Sequence, residues 1–202
     1  KEPENAKVLT ITRQEALNTW KIRKDQEYLL ITEADVIETD TGYELITRHG
    51  DTLKTYPKLW SEPEGYEFIG INNGFYIYEC KEELPKCTAK YTLAGKNGDN
   101  KVYNIYINCP ENVNDCFLRI DFGGDKAKLY VNQEWEDDWF YTGQTWEIGL
   151  KRFGFPKELQ VEILPLKENT PCFLEKWPKF KNGVACEIYH VLAEAESVFH
   201  LK

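Results

Sequence analysis

Apolar and polar residues alternate at period two through most of this chain. Leu159, Val161 and Ile163 alternate with Gln160 and Glu162, and Cys116, Leu118, Ile120 and Phe122 alternate with Arg119 and Asp121. Successive strand side chains point to opposite faces, so each run predicts a strand with one apolar and one polar face. Ala127, Leu129 and Val131 repeat the pattern just after Gly123-Gly124-Asp125. Two alternating runs joined by a Gly-Gly turn predict a β-hairpin. Further strands are expected over residues 27–31, 43–48, 75–79, 101–109 and 185–199, with turns at Thr41-Gly42 and Asn73-Gly74. Thr12 stands three residues before Glu15, a capping box, and Ala16, Leu17 and Trp20 follow at helical spacing. These predict one short N-terminal helix near residues 12–22, about three turns long.

Strands do not alternate with helices as a parallel α/β barrel requires. Many short strands with frequent turns predict an all-β fold, an antiparallel β-sandwich or jelly roll. SEPEG at residues 61–65 is the best linker signal. It predicts a β-rich N-terminal segment over 1–65, packed on a main jelly-roll β-sandwich over 66–202. AGKNGDN at 94–100 predicts a long hairpin loop.

Composition narrows the class. Of 202 residues, 42% are hydrophobic, enough to bury a core, and 14% are aromatic. No apolar run approaches the roughly 18 residues that span a bilayer, so no membrane partner is expected. The opening KEPENAK lacks the basic and apolar regions of a signal peptide, and the chain contains no Met, as expected of a processed or excised piece. Net charge is −9, and the basic residues form no continuous face, so nucleic acid is not an expected partner. The cysteines at 80, 87, 109 and 116 form two pairs with six residues between partners, wider than the gaps of structural zinc sites. Flanking strands would bring each pair into reach of a disulfide; reduced thiols filling core space are the simpler reading for a chain this long.

Candidate chemistry concentrates in EWEDDWFYTGQTWEIGL, residues 134–150. A sugar's C–H face stacks on aromatic rings, while acids and amides take its hydroxyls. Trp135, Asp137, Asp138, Trp139 and Tyr141 are the candidate carbohydrate-binding residues. In an extended segment Trp135, Trp139 and Tyr141 fall on one face, with Asp138 and Phe140 on the other. The commoner role of such rings is to seal the edge of a sandwich. Glycoside hydrolysis needs two carboxylates facing across one bond; Asp137 and Asp138 are adjacent, and as strand neighbours they point apart. The histidines at 49, 190 and 200 suggest no nucleophilic triad, since no G-x-S-x-G elbow accompanies them. No P-loop or G-x-G-x-x-G occurs. No catalytic residue, metal ligand or cofactor is expected.

CFLRIDFGGDKAKLYVNQEWEDDWFYTGQTWEIGLKRFG (116–154) resembles the jelly-roll region of β-galactosidases of glycoside hydrolase family 35 and their bacterial relatives. The resemblance lies in Phe117, Leu118, Ile120, Phe122, Gly124, Asp125, Ala127, Leu129, Tyr130, Asn132, Asp138, Phe140, Tyr141 and Gly143, and in WEIGLKRF from Trp146 to Phe153. LQVEILPLKENTPCFLEKWPKF (159–180) continues it, and LTITRQEALNTWKI and LLITEADVI are similar to the segment entering the same region. It departs at Gln133, where a Gly usually follows Asn132. The resemblance implies a galactose-binding-domain-like β-sandwich, C-terminal to a catalytic (β/α)8 barrel. That family's catalytic glutamates belong to the barrel, which takes about 250 residues, and none maps onto this chain. The implied role is a non-catalytic accessory domain, mainly structural, whose partners are the barrel and the other domains of a β-galactosidase-like enzyme. The alternative is a carbohydrate-binding module that recognises galactosides through the aromatic and acidic surface at 135–147.

Overall fold

The computed structural model describes residues 8–202; the KEPENAK opening lies outside them. Strands hold 57% of the described residues, against one five-residue α-helix among them, so the fold is all-β, built of antiparallel sheets. The chain divides into two compact units. One runs to Leu84 and regains Ser197–Lys202; the other is Pro85–Glu196.

The first unit begins with α1 (Arg13–Leu17). Its capping box is formed, with Glu15 N–H donating to Thr12 Oγ1 and Thr12 N–H to Glu15 Oε2. The helix is shorter than the expected three turns, because β1 (Thr19–Arg23) takes Trp20 into a pair with β2 (Glu27–Ile31). The hairpin of β3 (Asp35–Thr39) and β4 (Gly42–Thr47) follows, then β5 (Thr52–Tyr56), β6 (Tyr66–Asn72) and β7 (Phe75–Cys80). The turn at Asn73-Gly74 has both residues at positive φ, which Asn and Gly tolerate best. One sheet has the order β1-β2-β5-β7-β6. SEPEG is therefore not a boundary: β7 pairs with β5, which places the β6–β7 hairpin within this unit, and the division falls after Leu84. Leu30, Leu45, Leu53 and Tyr78 fill the core, joined by Phe199 and Leu201.

The second unit contains β8 (Thr88–Asn97), β9 (Asn100–Asn108), β10 (Asp115–Gly123), β11 (Lys126–Val131), β12 (Glu134–Phe140), β13 (Trp146–Gly149), β14 (Glu158–Leu164), β15 (Leu166–Lys167) and β16 (Val184–Ala185). It also takes the first part of β17 (Glu187–Leu201), whose last five residues pair with β4 in the first unit. One sheet has the order β12-β11-β14-β9-β8; facing it, β10 lies between β13 and β17. Ile105, Leu129, Val161 and Ile163 from one sheet meet Leu118, Ile120, Trp146 and Ile148 from the other in a single core. This is a β-sandwich.

Two local expectations change. The stretch 94–100 is not a long loop: β8 and β9 pair through to Asn97 and Asn100. Nor do β10 and β11 form a hairpin; they lie in different sheets, so Gly123-Gly124 carries the chain across the sandwich. Glycine is needed there for space. A Cβ on Gly123 would overlap the Tyr189 hydroxyl, and one on Gly124 would sit 2.6 Å from both Ile163 Cγ2 and the Leu164 carbonyl oxygen.

Candidate functional site

Strand β12 is an edge strand, and its register with β11 decides which side chains share a face. Lys126 pairs with Phe140, Ala127 with Trp139 and Lys128 with Asp138, but Tyr130 pairs with Trp135. The register shifts between Leu129 and Tyr130, leaving Glu136 as an extra residue in β12. Such a bulge reverses the alternation beyond it. Trp135 therefore joins Asp138 and Phe140 on the outer face with Lys126, Lys128 and Tyr130. Trp139 shares the inner face with Ala127 and packs against the core.

The expected grouping of Trp135, Trp139 and Tyr141 is thus split. Trp135 is 58% exposed and Phe140 62%, whereas Tyr141 is buried and meets Phe122 edge-on with centroids 5.7 Å apart. Tyr141 is corrected from a surface to an interior position, and Trp139 is half-buried against the core. The two acids separate as strand neighbours should. Asp137 pairs with Arg152, and its backbone carbonyl accepts from Trp135 Nε1 at 3.0 Å. Asp138 meets the Lys126 ammonium at 2.6 Å. Lys126 Nζ also lies 4.8 Å from the Phe140 centroid and 5.5 Å from that of Trp135, within cation–π range. Trp146, Ile148 and Leu150 are buried.

The middle of the same face carries a polar network that the sequence reading missed. Glu162 of β14 points outward with Gln160, yet it is only 4% exposed. Its Oε1 accepts from Asn97 and Asn100 Nδ2, both at 2.9 Å, and its Oε2 from the Tyr130 hydroxyl at 3.0 Å. The Lys128 ammonium stands 4.0 Å away. Burial acts to raise the pKa of this carboxyl, but hydrogen bonds from Asn100, Tyr130 and Asn97, with the Lys128 charge, outweigh it and hold the pKa below the ordinary value. Beside it, Gln160 Nε2 donates to Asn104 Oδ1 at 3.0 Å. A depression of about 480 Å³ lies over Glu162, Gln160, Tyr130 and Gln133. Flat rings, amides and fixed charges on one sheet face suit a polyhydroxylated ligand.

General-acid chemistry needs a carboxyl that keeps its proton. The carboxyls that shift here all shift down: Glu15 to about 2, chiefly through its bond from Lys54, and also Asp25, Glu27 and Glu162. Among the histidines, His190 is exposed in β17 opposite Asp121, and His200 lies 3.8 Å from Glu44. Among the described residues, one group has the spacing of metal ligands: the thiols of Cys87, Cys109 and Cys116.

Fold and face together define an all-β, β-sandwich protein with an aromatic and polar sheet face. No protein-family pattern, characterised protein or solved structure matches the chain.

Proposed function

We propose that this chain is a non-catalytic accessory part of a β-galactosidase-like glycoside hydrolase, and that its Pro85–Glu196 unit meets galactose-containing carbohydrate on the outer face of the β12-β11-β14-β9-β8 sheet. One observation carries the sugar reading: the bulge in β12 brings the exposed rings of Trp135 and Phe140 onto the face that holds Asp138, Gln160 and the Glu162 network. A ring stacks on the apolar side of a sugar, and side chains already fixed by hydrogen bonds lose little entropy when they bind. The link to β-galactosidases rests on the resemblance of residues 116–180.

Calorimetry against galactose, lactose and plant galactan tests the sugar reading. Heat of binding, with affinity about ten-fold weaker in Trp135→Ala, is the expected result. No heat and no tryptophan fluorescence change at millimolar sugar overturns it.

A second reading, docking onto a catalytic barrel, is favoured by another observation. Phe173 is 92% exposed and Trp177 is also exposed, in the segment between β15 and β16. Solvent-facing rings on one segment suit a surface made to be covered. Burial of Trp177 in a longer polypeptide that includes a barrel, read as a blue-shifted emission relative to this chain, is the outcome this reading requires.

A further inference from the structure

At one end of the second unit three cysteines converge from both sheets. Cys87 immediately precedes β8 and Cys109 immediately follows β9, and the terminal pair Thr88–Asn108 sets them opposite one another. Cys116 reaches the same place from β10 in the facing sheet. Alternation turns all three inward, in step with Ile107 on β9 and Leu118 on β10. Their sulfurs all lie within 4.8 Å of one another. Cys87 and Cys116 are buried, while Cys109 is half-buried and, with Cys116, lines a cavity of about 260 Å³. Lys157 and Glu111 stand on the wall of that cavity.

We propose that Cys87, Cys109 and Cys116 form a three-thiolate site for a divalent d10 metal ion of the zinc class, with its fourth coordination position opening into the adjoining cavity. A metal–sulfur bond of about 2.3 Å places three thiolates about 3.8–4.0 Å apart around one ion, inside the span these sulfurs already occupy. A soft, all-sulfur donor set selects thiophilic ions over calcium or magnesium. Binding forms three metal–sulfur bonds and releases three thiol protons to solvent, with no change of oxidation state. Three thiolates and one dication leave a single negative charge, and Lys157 is among the residues that line the cavity beside it, with Glu111. The partly exposed Cys109 and the cavity provide the entry path that a buried site needs.

A disulfide would join two of the sulfurs at about 2.05 Å and leave the third without a role. The wide sequence gaps that argue against a zinc motif are bridged by the two-sheet fold, which brings together strands distant in sequence.

The test is titration of the reduced, metal-free full chain with Cd(II), following the ultraviolet sulfur-to-cadmium charge-transfer band, then displacement by Zn(II). The expected result is saturation at one ion per chain, with the band retained in Cys172→Ala and lost in Cys109→Ala. Cys109 is the least buried of the three, and a far-ultraviolet circular dichroism spectrum matching the parent shows that the variant is folded. Zn(II) should also raise the melting temperature of the parent but not of Cys109→Ala. If Cys109→Ala misfolds, Cys109→Ser carries the same readouts. A parent chain giving no band at stoichiometric Cd(II), a band unchanged in the folded Cys109 variant, or a native mass showing a disulfide within the cluster overturns the proposal.

Discussion

Glu162 shows how a single residue ties the outer face together. Four neighbours from three strands, β8, β9 and β11, point at one carboxylate, so removing it strands donors rather than deleting one bond. Glu162→Ala should cost about 1–3 kcal/mol in urea unfolding, the range for leaving buried polar groups unsatisfied. The pH dependence has a definite sign. The folded-state pKa is depressed, so the stabilisation is complete above the unfolded-state value of about 4.3 and is lost as pH falls through the folded value. The stability gap between parent and Glu162→Gln should therefore shrink below about pH 4. Gln133 is the converse case. It follows Asn132 in the β11–β12 turn and holds φ at +70°, a region where a side chain costs about 1–2 kcal/mol. Gln133→Gly should raise stability by about 1 kcal/mol, read as an upward shift in melting temperature. Both residues are plain in the sequence, but only Gln133 stands out there, through the resemblance, which sets a Gly after Asn132. Glu162 sits at an ordinary polar position of its alternating run, and its burial comes from Asn97, Asn100 and Tyr130 on other segments.

At the scale of elements, β12 is absent from the strands expected from the sequence, where its residues stand only as an extended segment, and its facing was not legible. Period-two reasoning assumes an unbroken ladder, and one extra residue at Glu136 transfers Trp135 to the opposite face from Trp139. Two substitutions on this strand separate the faces. Trp135→Ala should change folding stability by less than about 0.5 kcal/mol, as is usual for an exposed side chain, while weakening sugar binding about ten-fold. Trp139→Ala should cost about 2–4 kcal/mol, because its ring packs on the core. Equal effects of the two on stability would show that the bulge is absent in solution. The strands themselves were read well where alternation is local: β2 matches to the residue, and β4, β7, β9, β10 and β14 to within one at each end. The Gly-Gly crossing was misread because a tight hairpin and a sheet-to-sheet crossing need the same small residues.

For the whole molecule, the all-β class followed from the density of alternating runs, whereas the division into units did not. SEPEG has the composition of a linker, but pairing between β5 and β7 across it is long-range and leaves no local mark. The return of the chain end is equally hidden. Phe199 is buried against Tyr66, edge-on with centroids 5.3 Å apart, and Leu201 is fully buried. Truncation after Glu196 should therefore loosen the first unit selectively: amide exchange at Leu30 and Leu45 should accelerate, while Ile105 and Val161 keep their protection. A uniform loss of protection would show that the units are not separately cooperative. The same arrangement sets an order on synthesis. A polypeptide emerges from the ribosome N-terminus first, so the first unit's sheets appear early but lack two core side chains until residues 197–202 arrive. The Pro85–Glu196 sandwich, contiguous in sequence, has its whole core before then. Within these residues maturation thus runs against the direction of translation: the strands of the first unit wait, with apolar surface open, until residues 197–202 have been made.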